Sequence, residues 1–323
     1  MIDLPFVPDQ LPFEFDLDED EPRERYAGQC RYVISVSQLK MFSPSAKGCP
    51  RKWAMHYLAG FARAQTPALK DGIRLHRCVK DRWHGIPGIE WDQKWQPGTK
   101  TVDLALAMMR HVPDRHEWVS EPTFFLEVPE LDTAIYIKPD LLSADFEGIP
   151  YLAPEGFKDW KSTAAAHKRS PWVLQDRLWW PGGKLPEPEN GDTYFSLEND
   201  IQGRVYGHGL MTIFGGSEIN AEWIYGSKKF EPPQNPATWA LDWTYRAGET
   251  KDWCKTYVWP TIRAMNAIRQ AWEANALDSV LLVPHNAFSC QHKGHFCEDL
   301  LGHCNLWKSP ISLDQLHLPV IPA

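Results

Sequence analysis

A chain of 323 residues is long enough for one large domain or two smaller ones. With 43% apolar and 24% charged residues, and no apolar run near the ~18 residues a bilayer helix needs, it is expected to be a globular cytoplasmic protein without a membrane partner. Seven cysteines, an odd number, with an acidic and proline-rich start, argue against a disulfide framework and against a secretory signal.

The formal charge of −8 is unevenly spread: residues 1–30 hold nine acids and two bases, net −7, so the remainder is close to −1. A nucleic-acid partner is therefore not excluded. Residues 1–30 are expected to form a disordered acidic tail, available to dock a protein partner. Residues 31–323 are expected to be a single domain. "ISVSQLKMF" offers Ser35 and Ser37 as N-caps, and "CPRKWAMHYLAGF", "ALKDGIRLHRCVKDRW" and "TVDLALAMMRHV" have the apolar spacing of helices, so 31–117 is read as helical. From Glu121 the period changes. "EPTFFLEV", "TAIYIKPDLLSA" and "GFKDWKST" read as strands within a core spanning 118–230. The Pro-rich stretch 170–192 reads as an insertion or lid. "FSLENDIQGRVYGHGLMTIF" is read as a helix and "INAEWIYGSKKF" as a strand. "KDWCKTYVWPTIRAMNAIRQAWEAN" is a long helix broken near Pro260, opening a C-terminal part over 248–307. The class implied is α/β, a central mixed sheet flanked by helices.

Two carboxylates stand out. The stretch "YIKPDLLSADFEGIPYLAPEGFKDWKST", Tyr136 to Thr163, ends one apolar run at Pro139-Asp140 and the next at Asp159-Trp160-Lys161. Other acid-x-Lys triplets occur at Asp92–Lys94, in a loop-like stretch, and at Glu249–Lys251, at a helix start. Neither follows a strand bearing a second acid. On neighbouring strands Asp140 and Asp159 would approach closely, and such a pair repels and desolvates poorly unless a cation lies between. A hard divalent ion meets that need and suits phosphodiester cleavage. Lys161, two residues beyond Asp159, shares its strand face, where an ammonium stabilises charge developing on phosphoryl oxygens.

This layout resembles the PD-(D/E)XK nuclease superfamily, with a restriction-endonuclease-like sheet, and more narrowly its RecB-type exonuclease branch. Gly72 and His76 in "GIRLH", Glu121, Pro139-Asp140, Asp159-Trp160-Lys161, and Gln202 and Tyr206 in "QGRVY" follow the family's order. The resemblance implies His76, Asp140 and Asp159 as ligands of Mg²⁺ or Mn²⁺, joined by the Trp160 carbonyl, with Glu121 a further acid in or beside that set. Lys161 would position the attacking water, and Gln202 and Tyr206 would hold DNA. The implied reaction is in-line attack on phosphorus that leaves a 5′-phosphate, serving recombination, repair or defence, on a phage or mobile element among other settings.

Cys290, Cys297 and Cys304, with Cys49 far upstream, resemble the iron–sulfur members of that branch, the AddB-type subunits and CRISPR-associated exonucleases, which implies a [4Fe–4S] cluster. The spacing departs from the family's tighter late pair, and His292, His295 and His303 keep a Zn²⁺ site open as the alternative. Cys30, Cys78 and Cys254 read as half-buried packing residues. Lys158 to Arg177, basic and interleaved with Trp160 and Trp172, followed by Trp179 and Trp180, is a candidate path for single-stranded DNA with a free end. Two other functions remain at this level: a non-catalytic or partner-activated DNA-binding subunit, and an RNA-directed nuclease.

Overall fold

The computed structural model describes residues 26–43, 48–60, 67–86, 88–112, 117–143, 154–163, 200–232, 234–275 and 283. Most of the acidic start, the stretch 170–192, and Cys290, Cys297 and Cys304 lie outside the described residues. The elements are β1 (Tyr32–Ser35), α1 (Val36–Phe42), α2 (Pro50–Tyr57), α3 (Pro67–His84), α4 (Trp91–Lys94), α5 (Lys100–Met109), β2 (Trp118–Ser120), β3 (Phe124–Val128), β4 (Thr133–Ile137), β5 (Leu141–Ser143) and β6 (Gly156–Thr163). Then follow α6 (Ile201–Phe214), β7 (Glu218–Ser227), β8 (Thr238–Arg246), α7 (Ala247–Trp253) and α8 (Trp259–Glu273). The class is α/β, with mixed sheets flanked by helices. Among the described residues no helix is long and apolar enough to cross a membrane.

Two sheets form, ordered β1-β4-β3 and β2-β5-β6-β7-β8. They share one long hairpin. Its antiparallel register runs from Trp118↔Ser143 and Ser120↔Leu141 in the larger sheet to Phe124↔Ile137 and Val128↔Thr133 in the smaller. Between the two halves the same register sets Pro122 opposite Pro139. Neither has an N–H to give the ladder, so pairing fails there and the hairpin passes from one sheet to the other. Glu121, just before the break, sits at φ 54°, a left-handed conformation that is costly for a residue with a Cβ. Its N–H donates to the Asp140 carbonyl at 2.9 Å. Asp140 is thereby held at the seam, one residue before β5.

β6 pairs with β5 antiparallel and with β7 in parallel, so it lies inside the larger sheet. Both of its faces are covered, which explains why its apolar residues do not alternate with polar ones. Phe157, Trp223 and Tyr225 pack toward α6 in one core that also takes in Trp53, Leu126, Ile137, Val205 and Ile262. Trp160, Leu141 and Ile224 pack toward α3, α4 and α5 in a second core, with Leu75, Cys78, Trp91 and Met108. Each fully buried large side chain contributes about 1.5–3 kcal/mol relative to exposure.

Several elements differ from the sequence expectation. Tyr32–Ser35 forms β1, parallel to β4, before the helix begins, and Ser35 rather than Ser37 is the N-cap, accepting from the Gln38 N–H at 3.2 Å. The Asp92 stretch is a short helix, not a loop. β8 was not anticipated. The long C-terminal helix is interrupted by a π-helical turn, Cys254–Val258, immediately ahead of Pro260 in the first turn of α8. Cys30, Cys78 and Cys254 are buried rather than half buried, Cys78 and Cys254 fully so. Burial pushes the Cys78 thiol up to about 12, so it is an inert packing group.

Candidate active site

β6 alternates its side chains, and Asp159 and Lys161 therefore share the face of Phe157 that looks toward α6. They touch, Lys161 Nζ against Asp159 Oδ2. α6 begins at an N-cap, Asp200, whose carboxylate accepts from the Gly203 N–H at 2.9 Å, and this directs Gln202 at the strand. Gln202 Nε2 donates to Asp159 Oδ2 at 2.9 Å, while Gln202 Oε1 accepts from Lys161 Nζ at 3.2 Å. The same oxygen accepts from a second ammonium, Lys40 Nζ at the end of α1, also at 3.2 Å.

Asp140 reaches this group from the seam. Its Oδ2 accepts from the Trp160 N–H at 2.7 Å, fixing it beside Asp159. Its Oδ1 stands 3.5 Å from His76 Nδ1, on the flank of α3. Asp159 is 3% exposed, whereas the His76 side chain is 38% exposed and forms the open wall. His76, Asp140, Asp159, Lys161 and Gln202 are thus brought together. Among the described residues no three His, Cys, Asp or Glu side chains are already gathered as a metal cage.

The electrostatics are those of crowded carboxylates. Burial is the largest cause raising Asp159 to about 7; the Lys161 ammonium opposes it and the Asp140 carboxylate adds to it. Asp140 lies well below the carboxylate range: burial alone would raise it, but the charge and hydrogen bond of His76 outweigh that. Lost solvation would lower His76, and the Asp140 carboxylate instead holds it above its ordinary value. Burial would likewise lower Lys161, and Asp159 and Asp140 together hold it raised. The proton resides on Asp159 more readily than on Asp140.

The remaining expected residues divide. Glu121 lies next to the seam but turns to two ammonium groups, Lys80 at 2.8 Å and Lys138 at 3.2 Å. Tyr206 is 7% exposed; its hydroxyl donates to the Lys138 carbonyl at 3.0 Å and its ring packs edge-on against Phe157, so it braces the approach to Asp140 from inside. Trp160 is buried and Lys158 is tied to Glu222 at 2.8 Å and sits over the Trp118 ring, so neither lies on an open stacking path. Trp172, Trp179 and Trp180 lie outside the described residues. Cys49 is buried at the start of α2. Two residues on, Arg51 Nε donates to the carbonyl of Val283 at 2.8 Å, which holds Val283 against that helix.

Sequence reading missed Lys40, Asp200, Lys80 and Lys138. Lys80 carried a signal, four residues after His76 and so close to it on the helix surface, and Asp200 another, as an N-cap residue type directly ahead of an apolar helix. Compared with known proteins, the chain matches no family model and no curated sequence.

Proposed function

We propose that this protein is a divalent-metal-dependent nuclease of the PD-(D/E)XK type, of the RecB branch, that hydrolyses DNA phosphodiester bonds from a free end. The observation carrying this reading is the meeting of Asp140, Asp159, Lys161 and Gln202, from three separate elements, against His76 from a fourth. The donor set suits a hard ion. Oδ2 of each carboxylate is held by protein donors, Asp140 by the Trp160 N–H and Asp159 by Gln202 and Lys161, while Oδ1 of Asp140 faces His76 Nδ1 at 3.5 Å, so two carboxylates and an imidazole converge where a cation could replace the proton between them. Burial first and the Asp140 carboxylate second raise Asp159, and a bound cation would offset both. Asp140, Asp159 and His76 would hold Mg²⁺ or Mn²⁺, which supplies Lewis-acid polarisation of a phosphoryl oxygen when bound. Lys161 is the group placed to neutralise charge growing on the phosphate, and Gln202 fixes both its ammonium and Asp159. Glu121, with Lys80 and Lys138, would flank the strand.

The C-terminal cysteines would join Cys49 in a metal clip, and the Arg51–Val283 hydrogen bond supports that closure. Anaerobic purification should yield a brown protein with about four irons per chain; stoichiometric zinc in place of iron would assign the site to Zn²⁺.

The test of the reaction is degradation of linear single-stranded DNA with Mn²⁺ or Mg²⁺, beside matched RNA and closed circular DNA. Asp159→Ala and Lys161→Ala are each expected to lower cleavage by at least about 10³-fold while DNA binding persists. Retained cleavage in either variant would overturn the catalytic reading. Equally fast cutting of the closed circle would remove the requirement for an end.

A further inference from the structure

Gln202 Oε1 accepts from two ammonium groups, Lys161 Nζ and Lys40 Nζ, each at 3.2 Å. The two cations therefore cannot be farther apart than twice that distance. Like charges that close require counter-charge. Lys161 has it in direct contact with Asp159. Among the described residues Lys40 has only the Asp200 carboxylate, at 3.7 Å, beyond hydrogen-bond reach, and its side chain is 35% exposed. An ammonium has three protons to give, and Gln202 takes one from Lys40. Lys40 is thus the site's incompletely neutralised cation on the solvent side, placed by α1 and α6 beside the Asp159–Lys161 pair. An ordinary surface ion pair with Asp200, which contributes little, does not account for its pointing at the same amide oxygen as Lys161.

We infer that Lys40 is a substrate-positioning residue, whose ammonium receives the strand phosphate adjoining the one that lies over Asp159 and Lys161. This rests on the nuclease reading above. Asp200 serves as its placeholder: it orients the ammonium in the free protein and yields it to the more highly charged strand. The chemical class recognised is a polyanionic backbone rather than a base, so the contact is indifferent to sequence.

The test is fluorescence anisotropy with an end-labelled single-stranded oligonucleotide of about twenty nucleotides, in EDTA to prevent cleavage, at about 50 to 200 mM KCl. Lys40→Gln is expected to weaken binding about tenfold at the low-salt end and to reduce the slope of log Kd against log salt by about 0.7, one phosphate's worth. Lys40→Arg, which keeps the charge, should retain the slope. With Mn²⁺ present, KM of Lys40→Gln should rise by a larger factor than kcat falls. Asp200→Asn keeps a competent helix cap but removes the competing charge, and should tighten binding several-fold; it carries the test should Lys40→Gln fail to fold. An unchanged salt slope in Lys40→Gln, or unchanged affinity in Asp200→Asn, overturns the assignment. If the unaltered protein neither binds the oligonucleotide nor cleaves with Mn²⁺, the nuclease reading falls first and this one with it. Cleavage with normal binding in both variants overturns only the role of Lys40.

Discussion

Gln202 is the residue on which the site's charges hinge. One amide donates to Asp159 Oδ2 and accepts from two lysines, a combination no charged side chain of that length can make. Glutamate there would place a third carboxylate beside Asp159 and Asp140. Alanine leaves Asp159 with one donor fewer and lets the Lys161 ammonium wander. Gln202→Ala is expected to lower cleavage about 10–100-fold, the range seen when a residue orienting metal ligands is lost. The unfolding midpoint should fall only slightly, because Asp159, although buried, keeps its contact with Lys161. A matching collapse of stability would show that Gln202 is structural instead. That Asp159 and Lys161 meet was legible in the sequence, since two residues apart on a strand fixes a common face. The pairing of Gln202 with Asp159 was not, since nothing local to "QGRVY" says which strand the helix crosses.

At the level of elements, α6 is the part that aims the site, and its glycines show how closely it lies on β8. A Cβ at Gly203 would fall 2.0 Å from the Tyr245 hydroxyl and 2.6 Å from its ring carbon, and Tyr245 is fully buried. Alanine gains up to about 1 kcal/mol in helix propensity, but overpacking against a buried ring costs about 1–3 kcal/mol. Gly203→Ala is therefore expected to be destabilising by up to about 2 kcal/mol in urea unfolding, and to slow cleavage because Gln202 is displaced with the helix start. A stabilised variant would show that α6 is free to slide. β8 itself escaped the sequence reading for a physical reason. Its middle is exposed at Asp242, Trp243 and Thr244 and among the described residues it pairs on one side only, with β7, so it carries little of the apolar alternation that marks a half-buried strand. The break near Pro260, by contrast, was plain, because proline is excluded from a helix interior and tolerated only in a first turn.

At the scale of the molecule, stability should depend on pH through His208, a buried residue of α6 facing Trp259 of α8. Burial is the main cause holding its pKa down to about 4, with the Lys251 and Lys255 ammonium groups adding to it. In the unfolded chain it titrates near 6.5. Above 6.5 both states are neutral and the contribution is intact; between 6.5 and about 4 the unfolded state takes the proton and the folded state does not, so stability falls as pH falls. The loss is on the order of 3 kcal/mol across that window. Urea midpoints at pH 7 and pH 4.5 measure it, and His208→Gln should flatten the difference; an equally steep dependence in that variant would exclude His208 as its source.

The sequence alone determined what depends on neighbours along the chain: the shared face of Asp159 and Lys161, the interruption near Pro260, the early helices and the α/β class. These follow from backbone geometry within a few residues. Tertiary structure decided the rest. Whether Lys40 meets Gln202, 162 residues away, whether His76 comes to Asp140, and whether Glu121 turns to Lys80 and Lys138 all depend on strand order and on a hairpin that changes sheets where two prolines face each other. Contacts across such separations are set by which surfaces pack, and no local period encodes that choice.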